Sequence, residues 1–158
     1  MIDATDRTLL GLLSDDTRQP YAELGQQVHL SAPAVHARVK KLEQTGAIRG
    51  YTIRVDPERL GKSLCAFIRI SLTGGVCDRT ARELEAIPEI EECYSVAGED
   101  CILVKARTAT PLELQELLQK IGRLPGFGRT VTTIVLRTHF ERSTGRAPGL
   151  AEPSLSVQ

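Results

Sequence analysis

The chain has 158 residues, with 20 Lys or Arg against 20 Asp or Glu and a formal net charge of zero. Hydrophobic residues make up 41% and charged residues 25%, so the chain can bury a core and fill one large domain or two small ones. The balance excludes a bulk polycation that coats nucleic acid and an acidic, mostly unfolded chain, but it leaves room for a segregated basic surface.

In chain order, Asp3 is placed to cap a first helix whose apolar stripe is Leu9, Leu10 and Leu13. Residues 15–20 read as a loop. Pro20 then opens a second helix over 21–28, with Leu24 and Val28 four apart. Ser31 is a good N-cap for a third helix running through Gln44, with Pro33 in its first turn and Gly46 as its stop. Residues 48–55 alternate as a strand does, and residues 56–61 read as a linker.

Beyond the linker the periodicity changes. Leu64, Ala66, Ile68, Ile70 and Leu72 share one face of a strand, which Gly74 and Gly75 end. A helix is expected over 78–87, with Ala81, Leu84 and Ile87 inward. Strands follow at about 89–97 and 101–107. Thr110, Pro111 and Glu113 form a capping-box start for a helix with Leu114, Leu117, Leu118 and Ile121 inward. A last strand is expected over 130–140. The order β-α-β-β-α-β is the ferredoxin-like arrangement. The expected fold is therefore α+β: a helix-turn-helix (winged-helix-like) domain over 1–55, a linker over 56–61 and a ferredoxin-like domain over 62–142. Residues 143–158 read as a disordered tail.

There is no apolar run of about 18 residues, so no membrane span is expected. The first residues lack the basic and apolar regions of a signal peptide, which points to a cytoplasmic protein. Cys65, Cys77, Cys93 and Cys101 include no C-x-x-C, and no His stands at ligand spacing from a Cys. Free thiols are expected, with no metal and no cofactor.

The segment from Tyr21 to Leu42 carries the most information. A helix-turn-helix needs a small residue in its first helix, a tight turn and a capped second helix. Gly25, His29 and Ser31 fill those places, with Leu30 and Val35 packing inward. His29 departs from the usual turn glycine, but His tolerates the left-handed region. Projected at 100° per residue, Val35, Val39 and Leu42 form the core face of the third helix. The opposite face carries Pro33, Ala37, Lys40 and Lys41, with Ala34 and His36 at its edges and Arg38 on the flank. Small residues let a helix enter a groove closely, and basic ones meet phosphates. Residues 31–54 hold five basic residues against Glu43 alone, a surplus of four, while residues 56–158 carry a deficit of one. A Lys-Lys pair also suits an ordinary solvated helix face. Joined to the cap and the turn, it points to DNA.

These residues resemble the Lrp/AsnC, or feast/famine, transcription regulators. Residues 2–10 are similar to the family opening L-D-x-x-D-x-x-I-L. The run SAPAVHARVKKLEQTGAIRGYT is similar to S-x-x-x-V-x-x-R-V-x-x-L-E-x-x-G-x-I-x-G-Y, and Gly98, Glu99 and Asp100 fit a G-[DE]-x-D turn. The resemblance covers about residues 2–140. It implies double-stranded DNA as a partner, contacted by Ser31, Pro33, His36, Arg38, Lys40 and Lys41. It implies homodimers assembling into tetramers or octamers, and an effector, usually an amino acid, bound between dimers. The effector residues it implies are Gly98, Glu99, Asp100 and Cys101, with Thr133 and Ile134 on the last strand. Cys101 stands where many members have Asp, which makes the pocket less polar and favours an apolar or aromatic amino acid. A polar hairpin turn has the same Gly-Glu-Asp composition. Three rival readings remain: a metal- or redox-sensing repressor using Cys77, Cys93 or Cys101, an enzyme akin to ferredoxin-like tetrapyrrole decarboxylases, and an assembly module without DNA binding. No acid, base and cofactor constellation supports the enzyme, and Ser31, Lys40 and Lys41 argue against the last.

Overall fold

The computed structural model describes residues 1–141 and Thr144. The chain divides into two compact units, Met1–Ile53 and Arg54–His139. The expected tail over 143–158 lies outside the described residues, apart from Thr144.

The first unit is three helices, α1 (Ala4–Asp15), α2 (Tyr21–Val28) and α3 (Ala32–Gln44). Each begins where local chemistry requires it. Asp3 caps α1 in a reciprocal box with Asp6: the Asp6 N–H donates to Asp3 Oδ1 at 2.8 Å, and the Asp3 N–H to Asp6 Oδ2 at 3.2 Å. Pro20 precedes α2 with its φ already near the helical value. Ser31 caps α3, its Oγ accepting from the Ala34 N–H at 3.4 Å. The unit closes on Leu9, Leu13, Leu24, Val35 and Val39, with Leu42 also buried. These are three stripes at helical spacing meeting on one axis.

The strand expected over 48–55 does not form. Residues 49–55 form no regular secondary structure and are exposed, with Tyr51, Ile53 and Val55 left largely in solvent. Alternation makes a segment suited to a ladder, but a strand needs a partner, and among the described residues of this chain none lies beside it. No wing strand therefore accompanies the three helices.

The second unit is β1 (Leu64–Leu72), α4 (Cys77–Glu85), β2 (Ile90–Ser95), β3 (Ile102–Thr108), α5 (Pro111–Gly122) and β4 (Phe127–Ile134). The sheet order is β2-β3-β1-β4, all antiparallel, which is the ferredoxin-like topology. Ala66, Ile68 and Ile70 of β1 and Ile102, Val104 and Ala106 of β3 pack with Leu84 of α4 and Leu114, Leu117 and Ile121 of α5. Thr110 caps α5 at 3.2 Å, while Glu113 reaches past the cap to the Ala109 N–H at 2.9 Å.

Several element bounds move, that of β3 by one residue to Ile102–Thr108. Helix α4 starts at Cys77 and ends at Glu85 rather than running over 78–87. Strand β2 is shorter at both ends than the expected 89–97. Strand β4 runs over Phe127–Ile134, not 130–140, because its length is set by its neighbour. Ile134 already faces Ala66, and the Val135 N–H to Cys65 carbonyl bond at 2.9 Å is the last link before β1 runs out.

Candidate functional site

The α2–α3 crossing is set by Gly25 and His29. The Gly25 carbonyl accepts from the Leu30 N–H at 2.9 Å and also from the His29 N–H. A Cβ on Gly25 would collide with the Leu30 carbonyl oxygen and touch Val35. Only glycine lets the turn fold back this closely. His29 takes the left-handed conformation at φ 56°, which a helix end needs for a sharp reversal.

That turn presents α3 with one face sealed and one open. Val35, Val39 and Leu42 are at most 3% exposed, whereas Ser31, Pro33, His36, Ala37, Lys40 and Lys41 are exposed. His36 lies against Tyr21, with ring centroids 5.6 Å apart at 50°. Glu43, the single acid of the 31–54 stretch, accepts from the Tyr51 hydroxyl at 2.7 Å. Partial burial, then that bond, pushes the Tyr51 phenol up to about 12.

Arg38 is occupied differently from the expectation that it reaches sideways to phosphates. Its Nη1 bonds Asp3 Oδ2 at 2.6 Å and Asp6 Oδ1 at 2.7 Å. The guanidinium thus ties α3 to the cap of α1. The Asp6 backbone N–H, and then Arg38, hold the Asp3 carboxyl below the ordinary aspartate value. The cation is spent inside the unit, leaving Lys40 and Lys41 as the outward charge of α3. The signal for this tether is in the sequence, as the cap acid Asp3 and the first-turn acid Asp6 of α1. Their meeting with Arg38 depends on the helix packing.

In the second unit, the turn between β2 and β3 carries Gly98, Glu99 and Asp100. Gly98 has φ 152° in open space. Glu99 is exposed. Asp100 is 5% exposed, lying 3.6 Å from Arg69 Nε through Oδ2 and 3.7 Å from Arg129 Nη2 through Oδ1. These are ion contacts longer than hydrogen bonds, and Asp100 Oδ1 is a buried oxygen without a hydrogen bond. Arg129 also lies 3.7 Å from Glu99. Cys101 is half-buried, its N–H donating to the Ile70 carbonyl at 3.0 Å and its Sγ 3.8 Å from the Leu72 carbonyl.

Within one chain, Thr133 and Ile134 do not join this cluster. They stand opposite Phe67 and Ala66, whereas the turn leads into β3 beside Ile70, several rows along β1. The β4 residue that reaches the turn is Arg129, which pairs with Ser71. Arg69 and Arg129 are the functional candidates that the sequence does not reveal. Arg69 interrupts the apolar β1 run, but its partner follows only from the β1–β3 register.

A glycine-hinged helix pair offers one lysine-bearing helix face, and a separate sheet unit carries a charged turn with an unsatisfied buried oxygen. Together they define a helix-turn-helix regulator with its own sensing unit. The AsnC-type helix-turn-helix domain model matches residues 2–43, and the Lrp/AsnC ligand binding domain model matches residues 65–144. The transcriptional regulator LrpA of Mycobacterium tuberculosis is 40% identical over 140 residues, covering 88% of this chain and 93% of the relative. The structure of E. coli AsnC superposes with a TM-score of 0.85 at 33% identity, covering 92% of this chain and 99% of that one. A feast or famine regulatory protein from M. tuberculosis, complexed with L-methionine, gives 0.83 at 36% identity, covering 97% and 100%. The chain belongs to the Lrp/AsnC family of transcriptional regulators.

Proposed function

We propose that the chain reads double-stranded DNA through α3 as a homodimer. Ser31, Pro33 and His36 lie at the groove end of the helix and Lys40 and Lys41 against phosphates. The observation that carries this is the division of α3: its core face is closed, and its open face bears two lysines that enter no ion pair among the described residues. Arg38 serves from behind, holding the helix in place. Two such helices meet half-sites about one helical turn apart. Replacing Lys40 and Lys41 by Ala should weaken binding to all sequences and lower the salt slope by about 1–2 per protomer. An unchanged slope would assign the DNA face elsewhere.

The effector is an amino acid held at the 98–101 turn. Asp100 Oδ1 accepts its ammonium, and Arg129 and the turn's N–H groups meet its carboxylate. The unsatisfied Oδ1 beside two guanidiniums supports this, since a zwitterion supplies both missing partners. Cys101 keeps the neighbourhood less polar than a second Asp would, which favours an apolar side chain. The M. tuberculosis relative in complex with L-methionine fits that preference. A thermal-shift screen of the twenty amino acids tests it, because a ligand that binds only the folded state raises apparent stability.

Dimers form through the open face of the sheet and assemble further into tetramers or octamers. That face carries Phe67 and Tyr94 in solvent. Its charges are largely neutralised locally: Lys105 lies 3.5 Å from Glu92, and Arg107 3.0 Å from Glu91. Thr133 lies on this face, so a second copy is what would bring it towards a turn. Native mass spectrometry with and without effector reads the assembly directly.

A further inference from the structure

We propose that Tyr51 is a positioning residue for the DNA contact of Lys40: its hydroxyl engages the Glu43 carboxylate that would otherwise pair with that lysine. This rests on the reading of α3 as the DNA helix. Lys40 and Glu43 stand three residues apart, so their side chains are neighbours on the helix surface. Opposite charges at that spacing attract and commonly pair. Here Lys40 enters no ion pair among the described residues, and Glu43 Oε1 accepts instead from the Tyr51 hydroxyl at 2.7 Å.

The way the chain leaves α3 delivers the tyrosine to this carboxylate. The Thr45 N–H donates to the Lys41 carbonyl at 2.9 Å and the Gly46 N–H to the Glu43 carbonyl at 3.0 Å. Gly46 takes the left-handed conformation, φ 72°, and reverses the chain. The Ile48 N–H then donates to the Leu42 carbonyl at 3.0 Å, and the Ile48 side chain packs against the core of the unit. Tyr51 comes three residues after that anchor, so closing its bond to the last turn of α3 costs little chain entropy. Its phenol, pushed up to about 12 by partial burial and then by Glu43, keeps its proton at neutral pH and remains a donor.

The same flank of α3 is braced on the other side of Lys40. His36 stands four residues before it and lies against Tyr21, with ring centroids 5.6 Å apart. Tyr21 in turn packs on the core of the unit. Two tyrosines from outside α3 thus engage the residues flanking Lys40 and leave its ammonium as the outward charge of that flank. A lysine paired with Glu43 would have to give up that partner before meeting a phosphate, and the released carboxylate would repel the same phosphate. An unpaired lysine brings its full charge to the phosphates and displaces their counterions.

The test uses the full chain and a fluorescently labelled duplex of mixed sequence, with affinity read by anisotropy across a salt series and the fold of each variant checked by its melting curve. Tyr51→Phe should weaken binding about twofold per protomer, hence about fourfold for a dimer, with a shallower salt slope. Adding Glu43→Gln to Tyr51→Phe should restore affinity to that of the parent or above, because a neutral amide holds no lysine. Lys40→Ala should weaken binding by itself and make Tyr51→Phe silent. Parent affinity in Tyr51→Phe overturns the positioning role. So does a loss that Glu43→Gln fails to restore, which would make the bond a brace of the chain reversal alone. If Lys40→Ala leaves affinity and salt slope unchanged, the DNA reading fails at that lysine and the positioning role falls with it. If Lys40→Ala weakens binding while Tyr51→Phe does not, the DNA reading stands and only the positioning role falls.

Discussion

Replacing Gly25 by Ala isolates the crossing of α2 and α3. In an unconstrained helix this change stabilises by roughly 0.5–1 kcal/mol, because alanine has less backbone freedom to lose. Here the added Cβ would lie under 3.0 Å from the Leu30 carbonyl oxygen, which is backbone and cannot rotate away. Overpacking of this kind costs about 1–3 kcal/mol. Moving Leu30 also strains its N–H bond to the Gly25 carbonyl, worth about 1 kcal/mol. The net expectation is a loss of about 2 kcal/mol. For a unit this small, that corresponds to roughly 8–16 °C in the melting temperature. The assay is thermal unfolding of the full chain by far-ultraviolet circular dichroism, with DNA affinity measured alongside. Gly50→Ala is the control, since a Cβ there meets nothing within 4 Å, and it should stay within about 0.5 kcal/mol of the parent. If Gly25→Ala melted at or above the parent with DNA affinity intact, close approach at Gly25 would not be what sets the turn.

Other consequences can be read separately. Gly98→Trp should abolish any amino-acid-induced shift while leaving basal DNA binding, because φ 152° strains any side chain there and the indole would fill the turn; a normal response removes the turn from the site. Asp100→Asn should cut effector affinity by more than tenfold, since the ammonium loses its anionic partner; calorimetry showing unchanged affinity refutes that role. In an alkaline absorbance titration, Tyr51 should ionise near pH 12. A folded pKa above the unfolded value of 10.0 means that its stabilising contribution is complete below pH 10 and disappears as pH rises towards 12. Tyr51→Phe should delete the phase near pH 12, and a profile unchanged by the substitution would show the assignment to be wrong. For Asp3 the direction is reversed. Its lowered pKa contributes stability above the ordinary aspartate range that is lost on acidification, so Asp3→Asn should flatten the acid limb of a stability-versus-pH curve.

The features legible from sequence were those decided within a few residues. Asp3, Ser31 and Thr110 cap the helices they precede because a cap needs only its own first turn. The apolar stripes of α3 and α5 and the alternation of β1 predicted their buried faces for the same reason. What escaped depended on distant parts of the chain. The 48–55 alternation is genuine, but pairing needs a second strand, which the described residues do not place there. The end of β4 is dictated by where β1 begins. Arg38 looks free in α3 until α1 brings two acids to it. Arg69 and Arg129 join Asp100 only through strand register. Local rules located the two candidate surfaces, and tertiary contacts decided which side chains remain available on them.

The double grip of Asp3 and Asp6 on Arg38 makes the first few residues part of what holds α3 in place. The seat of α3 within its unit is referenced to Asp3 and Asp6. An affinity tag fused ahead of Met1, or trimming of the opening residues, works directly on that reference. A preparation modified there can retain every exposed residue of α3 and still hold that helix differently.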